Sequence, residues 1–155
     1  MAYFYVATSQ KSTSVNHSVV CNFTSPDERN LIIARGNGLE VHTIEETGLV
    51  GILSVSLHGK IVALNSFHDS SSAEDWIFVL TEFKDFSVFA YASKERKLVT
   101  KAINNVKDRL GKNAASGQSA FVDPNNRMIG LILSEGQLKI IPNEAGTGLK
   151  ESFNI

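Results

Sequence analysis

The sequence has one cysteine and three prolines among 155 residues, and it has no apolar run long enough to cross a membrane. A lone cysteine excludes an internal disulfide, and we expect Cys21 to pack as a small hydrophobic side chain in a reducing compartment. A membrane-spanning helix needs about 18 consecutive apolar residues, and no basic leader opens the sequence. The sequence therefore predicts a soluble intracellular protein without membrane contact.

Charge is also sparse, since charged residues make up 20% of the chain and the net charge is −1. Residues 1–93 hold 5 basic and 10 acidic side chains, whereas residues 94–112 hold 7 basic and 2 acidic. A general nucleic-acid binder needs a broad basic face to neutralise phosphates. This distribution argues against autonomous DNA binding and leaves the short basic segment as a candidate protein contact.

Catalytic and metal-binding motifs are missing as well. His58, His68, Asp69 and Asp75 lie close together in the sequence, but no pair has the spacing of a zinc motif such as H-E-x-x-H. No G-x-S-x-G nucleophile motif occurs. We therefore expect no enzymatic activity, no metal and no cofactor, and we interpret these four residues as polar surface loops.

The sequence does contain a pair of strand-like segments joined by a tight turn, at residues 30–35 and 39–43. The turn includes Asn37 and Gly38, which tolerate positive φ and so favour a type I′ hairpin turn. The same arrangement returns at residues 76–91 and 128–142. No segment shows the sustained period and end signals of a helix.

Aligning Leu31, Ile77 and Ile129 gives offsets of 46 and 52 residues, close to the repeat of about 40 to 50 residues that is typical of four-stranded propeller blades. Each hairpin also has a strand-like run on either side, so four strands per unit are expected. A single β-sandwich of about 12 strands would explain the strand count equally well. It would not explain the repeated order of the features.

We therefore predict an all-β chain that forms about three four-stranded blades of an incomplete β-propeller with WD40-like architecture. The approximate blades are residues 15–58, 59–110 and 116–155, and residues 1–14 are expected to form a strand that pairs with a blade outside this chain. Propellers close with about four to eight blades. Three blades would leave two sheet faces open, so the chain is expected to be part of a larger propeller.

The connection at residues 104–117 is long for an all-β domain and is the candidate partner-binding element. Its basic side chains Lys107, Arg109 and Lys112 are suited to pairing with acidic or carbonyl groups of a partner, and arginine is the better multidentate donor. A solvated loop without a role is the open alternative.

Several collinear segments resemble the opening of the damaged-DNA-binding protein 1 family, and together they cover essentially the whole chain. They are Tyr5–Lys11, Asn22–Ser25, Asn30–Arg35, Asn105–Gly111, Asp123-Pro124, Arg127–Leu131 and Ser152–Ile155. The resemblance implies the N-terminal part of the first of three β-propellers in an adaptor. That adaptor links substrate receptors to a cullin-4 RING ubiquitin ligase and acts in nucleotide-excision repair.

The resemblance also implies partners and a location. The partners would be substrate-receptor proteins of WD40 type, bound through the full propeller, and the remaining propellers of the same protein. Direct cullin binding is not expected, because the family's second propeller holds the cullin. Arg109 and Lys112 match the family's receptor-facing loop, although Lys112 stands where an arginine is expected, and the implied location is the nucleus and cytoplasm.

Two alternatives stay open. Large subunits of the cleavage-and-polyadenylation and splicing machineries share the architecture, although the tract at residues 105–111 favours the damage-binding adaptor. The other alternative is an independent small β-domain, either a ligand-binding barrel or a hydrolase that uses His58, His68 and Asp69.

Overall fold

The computed structural model describes residues 4–5, 7, 9–108, 111–145 and 147–155. Over these residues the chain forms thirteen strands and no helix, so this part of the chain holds no helix that could span a membrane. The strands form three antiparallel sheets that follow one another along the chain. The prediction of an all-β chain built as part of a β-propeller is confirmed.

Each sheet is a meander in which consecutive strands pair. The first sheet contains β1 (His17–Cys21), β2 (Asn30–Arg35), β3 (Gly38–Glu45) and β4 (Gly48–Ser56). The second contains β5 (Ile61–His68), β6 (Asp75–Thr81), β7 (Asp85–Ala92) and β8 (Lys97–Asn105). The third contains β9 (Ser119–Val122), β10 (Met128–Ser134), β11 (Gln137–Glu144), β12 (Gly148–Leu149) and β13 (Phe153–Asn154).

The outer strand of the third sheet is broken into β12 and β13, which both pair with β11. Lys150, between them, donates its N–H to the carbonyl oxygen of Pro142 in β11 at 2.8 Å. Pro142 has no N–H to donate in return, and proline is tolerated in sheets mainly at edges or irregular places. The break in the outer strand therefore lies beside the residue that cannot complete the hydrogen-bond ladder.

The turn of the first hairpin differs from the prediction. Arg35 pairs with Gly38, so the two-residue turn consists of Gly36 and Asn37. Gly36 has a φ of 61°, whereas neither Asn37 nor Gly38 has a positive φ. A glycine at the first central position is the requirement of a type II′ turn, so the expected type I′ turn at Asn37 and Gly38 is wrong.

The sheets pack face to face through their first strands, as successive propeller blades do. Strand β1 lies against β5, and β5 lies against β9. One apolar core fills the junction between the first and second sheets, and another fills the junction between the second and third. The second sheet is thus buried on both faces, which explains the unbroken apolar run at residues 76–80.

Cys21 is buried, as the sequence predicts, and several strand aromatics share the two cores. Cys21 is buried in the first core, where burial, and after it the charge of Asp75, raises the pKa of the thiol to about 12. Phe78, Phe86 and Phe89 are also buried in the two cores. These side chains stabilise the junctions and are not free to stack on a ligand.

The first and third sheets each leave one face open. On the third sheet this face carries Phe121, Ile132 and Phe153, which are 41%, 38% and 50% exposed. The described residues among the first fourteen form no strand. Their predicted pairing with a blade outside this chain stays a prediction.

Candidate interaction loop between the second and third sheets

The connection between β8 and β9 runs over residues 106–118, which is later than predicted. Asn104 and Asn105 belong to β8, because they pair with Phe86 and Asp85 of β7. The candidate loop therefore begins at Val106. We call residues 106–118 the long connection; the structure describes all of it except residues 109 and 110.

Both ends of the long connection are fixed to the sheets. Val106 is 3% exposed and packs in the core between the second and third sheets. Its N–H donates to the carbonyl oxygen of Lys84 at 2.8 Å. Further along, the N–H of Ala114 donates to the carbonyl oxygen of Leu133 in β10 at 3.3 Å. The connection is therefore held against the edges of both sheets.

Asp108 connects the long connection to the third sheet. Its Oδ1 accepts hydrogen bonds from Lys139 Nζ in β11 at 2.6 Å and from Asn154 Nδ2 in β13 at 3.2 Å. The side chains of Lys139 and Asp108 are 10% and 18% exposed, so the ion pair is largely shielded from water. The hydrogen bond from Lys139 is the main cause that holds the pKa of Asp108 below its usual value, with smaller contributions from Asn154 and the charge of Lys84.

A second lysine, Lys84, contacts the long connection at Asn113. Lys84 ends the turn between β6 and β7 with a φ of 64°, in the left-handed region. It is 8% exposed, and its Nζ donates to Asn113 Oδ1 at 3.0 Å. Two buried ammonium groups, one from each sheet, therefore contact the connection five residues apart.

Two of the three predicted partner-binding residues, Lys107 and Lys112, are exposed on this connection. Lys107 is exposed, and its backbone N–H donates to Asn105 Oδ1 at 3.0 Å. The Lys112 side chain is 80% exposed and lies 3.2 Å from Glu135 Oε2. Arg109 lies outside the described residues. The structure thus presents two of the three predicted side chains to solvent, and their role in binding stays a prediction.

The sequence patterns gave no sign of the buried lysines. Lys139 alternates with Leu138 and Ile140, as a solvent-facing strand residue would. It instead pairs across the sheet with Leu131, which is fully buried, and so lies on the face that packs against the second sheet. The one available signal was that Asp108 lies in a segment too long for a simple turn.

The His and Asp residues considered as a catalytic cluster have structural partners. His68 Nδ1 lies 3.2 Å from Asp75 Oδ1, and Asp75 Oδ2 accepts the N–H of Asn22 at 3.0 Å. Asp69 is only 3% exposed and accepts the N–H of Ser71 at 2.9 Å. The interpretation of these residues as polar surface loops is therefore wrong for Asp69, which is buried in its loop, and for His68 and Asp75, which end β5 and begin β6.

In the ranges of the chain that are described, no three His, Cys, Asp or Glu side chains lie close enough to hold a metal ion together.

An apolar groove of about 720 Å³ lies on the open face of the third sheet. Its large apolar lining residues are Phe121, Ile132, Leu138 and Ile155.

Comparison with known proteins gives a family for this geometry. Residues 14–153 match a family model described as the RSE1/DDB1/CPSF1 first beta-propeller. Similar proteins include DNA damage-binding protein 1b of Arabidopsis thaliana at 42% identity, DNA damage-binding protein 1 of Solanum lycopersicum at 40%, and that of Oryza sativa subsp. japonica at 39%. Each match covers 97% of this chain, but the chain spans only 14% of the length of each relative.

Proposed function

Because the chain belongs to the RSE1/DDB1/CPSF1 first β-propeller family, we propose that it is the N-terminal part of a non-enzymatic protein-interaction scaffold. In this proposal it contributes blades to the first propeller of an adaptor that links substrate receptors to a cullin-4 RING ubiquitin ligase during DNA damage repair. The family description also covers RSE1 and CPSF1. The relatives at 39–42% identity carry the damage-binding name, which favours the adaptor.

The proposed partners are substrate-receptor proteins of WD40 type, bound through the full propeller, together with the remaining propellers of the same protein. We expect no direct cullin contact from this piece, and a location in the nucleus and cytoplasm. The near-balanced charge supports a protein partner over DNA, since phosphate binding needs a broad basic face. The open apolar face of the third sheet is suited to packing another blade.

The observation that carries the proposal is the long connection. Lys107 and Lys112 are exposed on a segment whose backbone and neighbouring side chains are tied to two sheets. A segment that is already ordered loses less conformational entropy when a partner binds. The long connection can therefore present Lys107 and Lys112 to a partner in a fixed arrangement.

The absence of a catalytic role is likewise a proposal, supported by how the candidate residues are engaged. Asp69 is occupied by Ser71, and Asp75 contacts both His68 and Asn22. The ring of His58 stacks on Phe83 with 5.2 Å between centroids. These contacts stabilise loops and do not assemble a nucleophile with a base.

A chimera tests the proposal. This chain would replace the matching 151 residues of the Arabidopsis thaliana relative, and the purified chimera would be mixed with WD40-type substrate receptors. We expect receptor binding, and we expect Lys107→Glu with Lys112→Glu to weaken it at least about fivefold by reversing two exposed charges.

Lys150→Glu is the matched control, because Lys150 is an exposed lysine that pairs with Glu144 away from the long connection. It should leave receptor binding unchanged. A chimera that binds no receptor would contradict the proposed adaptor role. Equal binding by the double variant and the parent would exclude Lys107 and Lys112 as contacts.

A further inference from the structure

We propose that Asp108 is a positioning residue that presets the long connection for its partner, by holding it between the last strands of the third sheet. The part of this inference that concerns a partner rests on the proposed function. The part that concerns the order of the loop stands on the geometry alone.

Asp108 supplies the carboxylate that pairs with the Lys139 ammonium. The Lys139 ammonium has three donors and is almost completely removed from water. A buried charge without a partner is strongly unfavourable. Asp108 Oδ1 accepts a hydrogen bond from Lys139 Nζ at 2.6 Å and balances its charge. This ion pair fixes Asp108 against β11.

One carboxylate oxygen of Asp108 connects the long connection to two strands of the third sheet. Oδ1 of Asp108 accepts from Lys139 in β11 and from Asn154 in β13, which are neighbouring strands. The position of the loop is thereby tied to the pairing of the outermost strand of the third sheet. Displacing the loop would leave both donors without this acceptor.

The backbone fixes the two ends of the long connection but, among the described residues, makes no backbone–backbone hydrogen bond to the sheets at Lys107 or Asp108. Within the described part of the long connection, backbone hydrogen bonds to the sheets are made by Val106, Lys112 and Ala114. Asn113, between the last two, forms an isolated antiparallel bridge with Ser134, and its side chain is bound in addition by Lys84. Between Val106 and this bridge, the side chain of Asp108 is bound by the buried Lys139. Charged groups of fixed geometry specify one position where apolar packing would allow several.

Amide hydrogen exchange of the 155-residue chain by NMR tests the order of the loop. The amides of Val106, Ala114 and Glu135 are the probes, because each donates a hydrogen bond that fixes an end of the connection. In Asp108→Asn, which keeps the size and loses the charge, we expect these amides to exchange at least about tenfold faster. Unchanged exchange at all three amides would overturn the proposal.

The amides of Leu57 and Ile61 are internal controls. They donate to the carbonyl oxygens of Asn37 and Gly36 at 2.8 Å. Leu57 begins the connection between the first and second sheets, and Ile61 directly follows it. Their exchange should not change in Asp108→Asn. Equal acceleration of these amides and the loop amides would mean general destabilisation, and it would also overturn the positioning role.

A double variant separates positioning from stability. Asp108→Asn with Lys139→Met removes both charges, so no unpaired ammonium is left buried, and the melting temperature should return close to that of the parent chain. The loop amides should still exchange at least about tenfold faster, and the chimera carrying both changes should bind receptor at least about fivefold more weakly.

The outcomes distinguish the two proposals. Parent-like exchange of the loop amides in the double variant would show that Asp108 only neutralises Lys139, and would overturn the inference. Failure of the unmodified chimera to bind any receptor would contradict the proposed function, while the exchange data alone would still decide whether Asp108 orders the loop.

Discussion

The two connections between sheets are held in different ways. The first, at residues 57–60, spans four residues between β4 and β5, and the long connection spans thirteen between β8 and β9. The first is fixed by backbone hydrogen bonds at both ends, from Leu57 and Ile61. The second also has backbone hydrogen bonds near its ends, from Val106 and Ala114. In addition, its side chains Asn113 and Asp108 are bound by the buried ammonium groups of Lys84 and Lys139.

The apolar cores do not explain this difference. Among the described residues, each junction buries a cluster of eleven side chains of similar composition. Ordering a longer segment costs more conformational entropy, because each fixed backbone residue costs about 1–2 kcal/mol. The short connection has few residues to fix, whereas the long one needs strong directional contacts along its length.

The largest expected effect comes from breaking the ion pair of the long connection. Asp108→Ala leaves the Lys139 ammonium buried without its carboxylate, and we expect the free energy of unfolding to fall by about 2–4 kcal/mol. Urea denaturation followed by circular dichroism measures it. A loss under about 0.5 kcal/mol would mean that water satisfies Lys139 and that the pair is unimportant.

The second prediction compares one glycine from each connection. Gly59 has a φ of 91°, and a Cβ there would lie 2.7 Å from Phe83 Cδ2. Gly117 has a φ of 85°, but a Cβ there would meet none of the described atoms within 4 Å. Gly117→Ala should cost about 1 kcal/mol from backbone strain alone, and Gly59→Ala about 2 kcal/mol or more because a contact is added.

Thermal melts of the two alanine variants rank them. Phe83 lies in the turn between β6 and β7, is 50% exposed and stacks on His58 of the short connection. If this packing holds the Phe83 ring in place, Gly59→Ala is the worse variant. Equal melting temperatures for both variants would mean that Phe83 moves away from the added Cβ at little cost. The short connection would then be no more tightly packed than the long one.

The third prediction concerns pH. Because the folded-state pKa of Asp108 lies below its unfolded value, its contribution to stability is fully present above the unfolded value, near pH 4, and is lost as the pH falls through the folded pKa. The chain should lose more stability between pH 6 and pH 3 than Asp108→Asn does. Urea melts at both values measure the difference, and identical losses would contradict it.

Asp123 also contributes stability that is lost as the pH falls. The hydrogen bond from Arg127 is the main cause that lowers the pKa of Asp123. Part of the acid sensitivity should therefore persist in Asp108→Asn. Asp123→Asn is the matched control, because it should reduce acid sensitivity without changing amide exchange in the long connection.

Much of the fold could be predicted from the sequence because the repeat places similar side chains at similar depths. Leu31, Ile77 and Ile129, which align in sequence, all lie in the second strand of their sheets. The turn at Gly36 was mispredicted because Asn37 and Gly38 fit a type I′ turn locally, whereas the pairing of Arg35 with Gly38 decides the turn.

The candidate site was only partly predictable. The length of the segment and its basic residues pointed to the connection that contains Lys107 and Lys112. The contacts that order it join residues far apart in sequence: Asp108 and Lys139 are 31 residues apart, and Lys84 and Asn113 are 29 apart. Local periodicity cannot detect such pairs, and it assigns a strand lysine such as Lys139 to the surface.

A double-mutant cycle on Asp108 and Lys139 tests the central claim most directly, with Lys112 and Glu135 as the matched exposed pair. Urea melts of the single and double variants give the coupling energy of each pair. The account predicts about 1–3 kcal/mol for Asp108 and Lys139, and under about 0.5 kcal/mol for the exposed pair. Equal coupling in the two pairs would contradict the claim that buried charges hold the long connection.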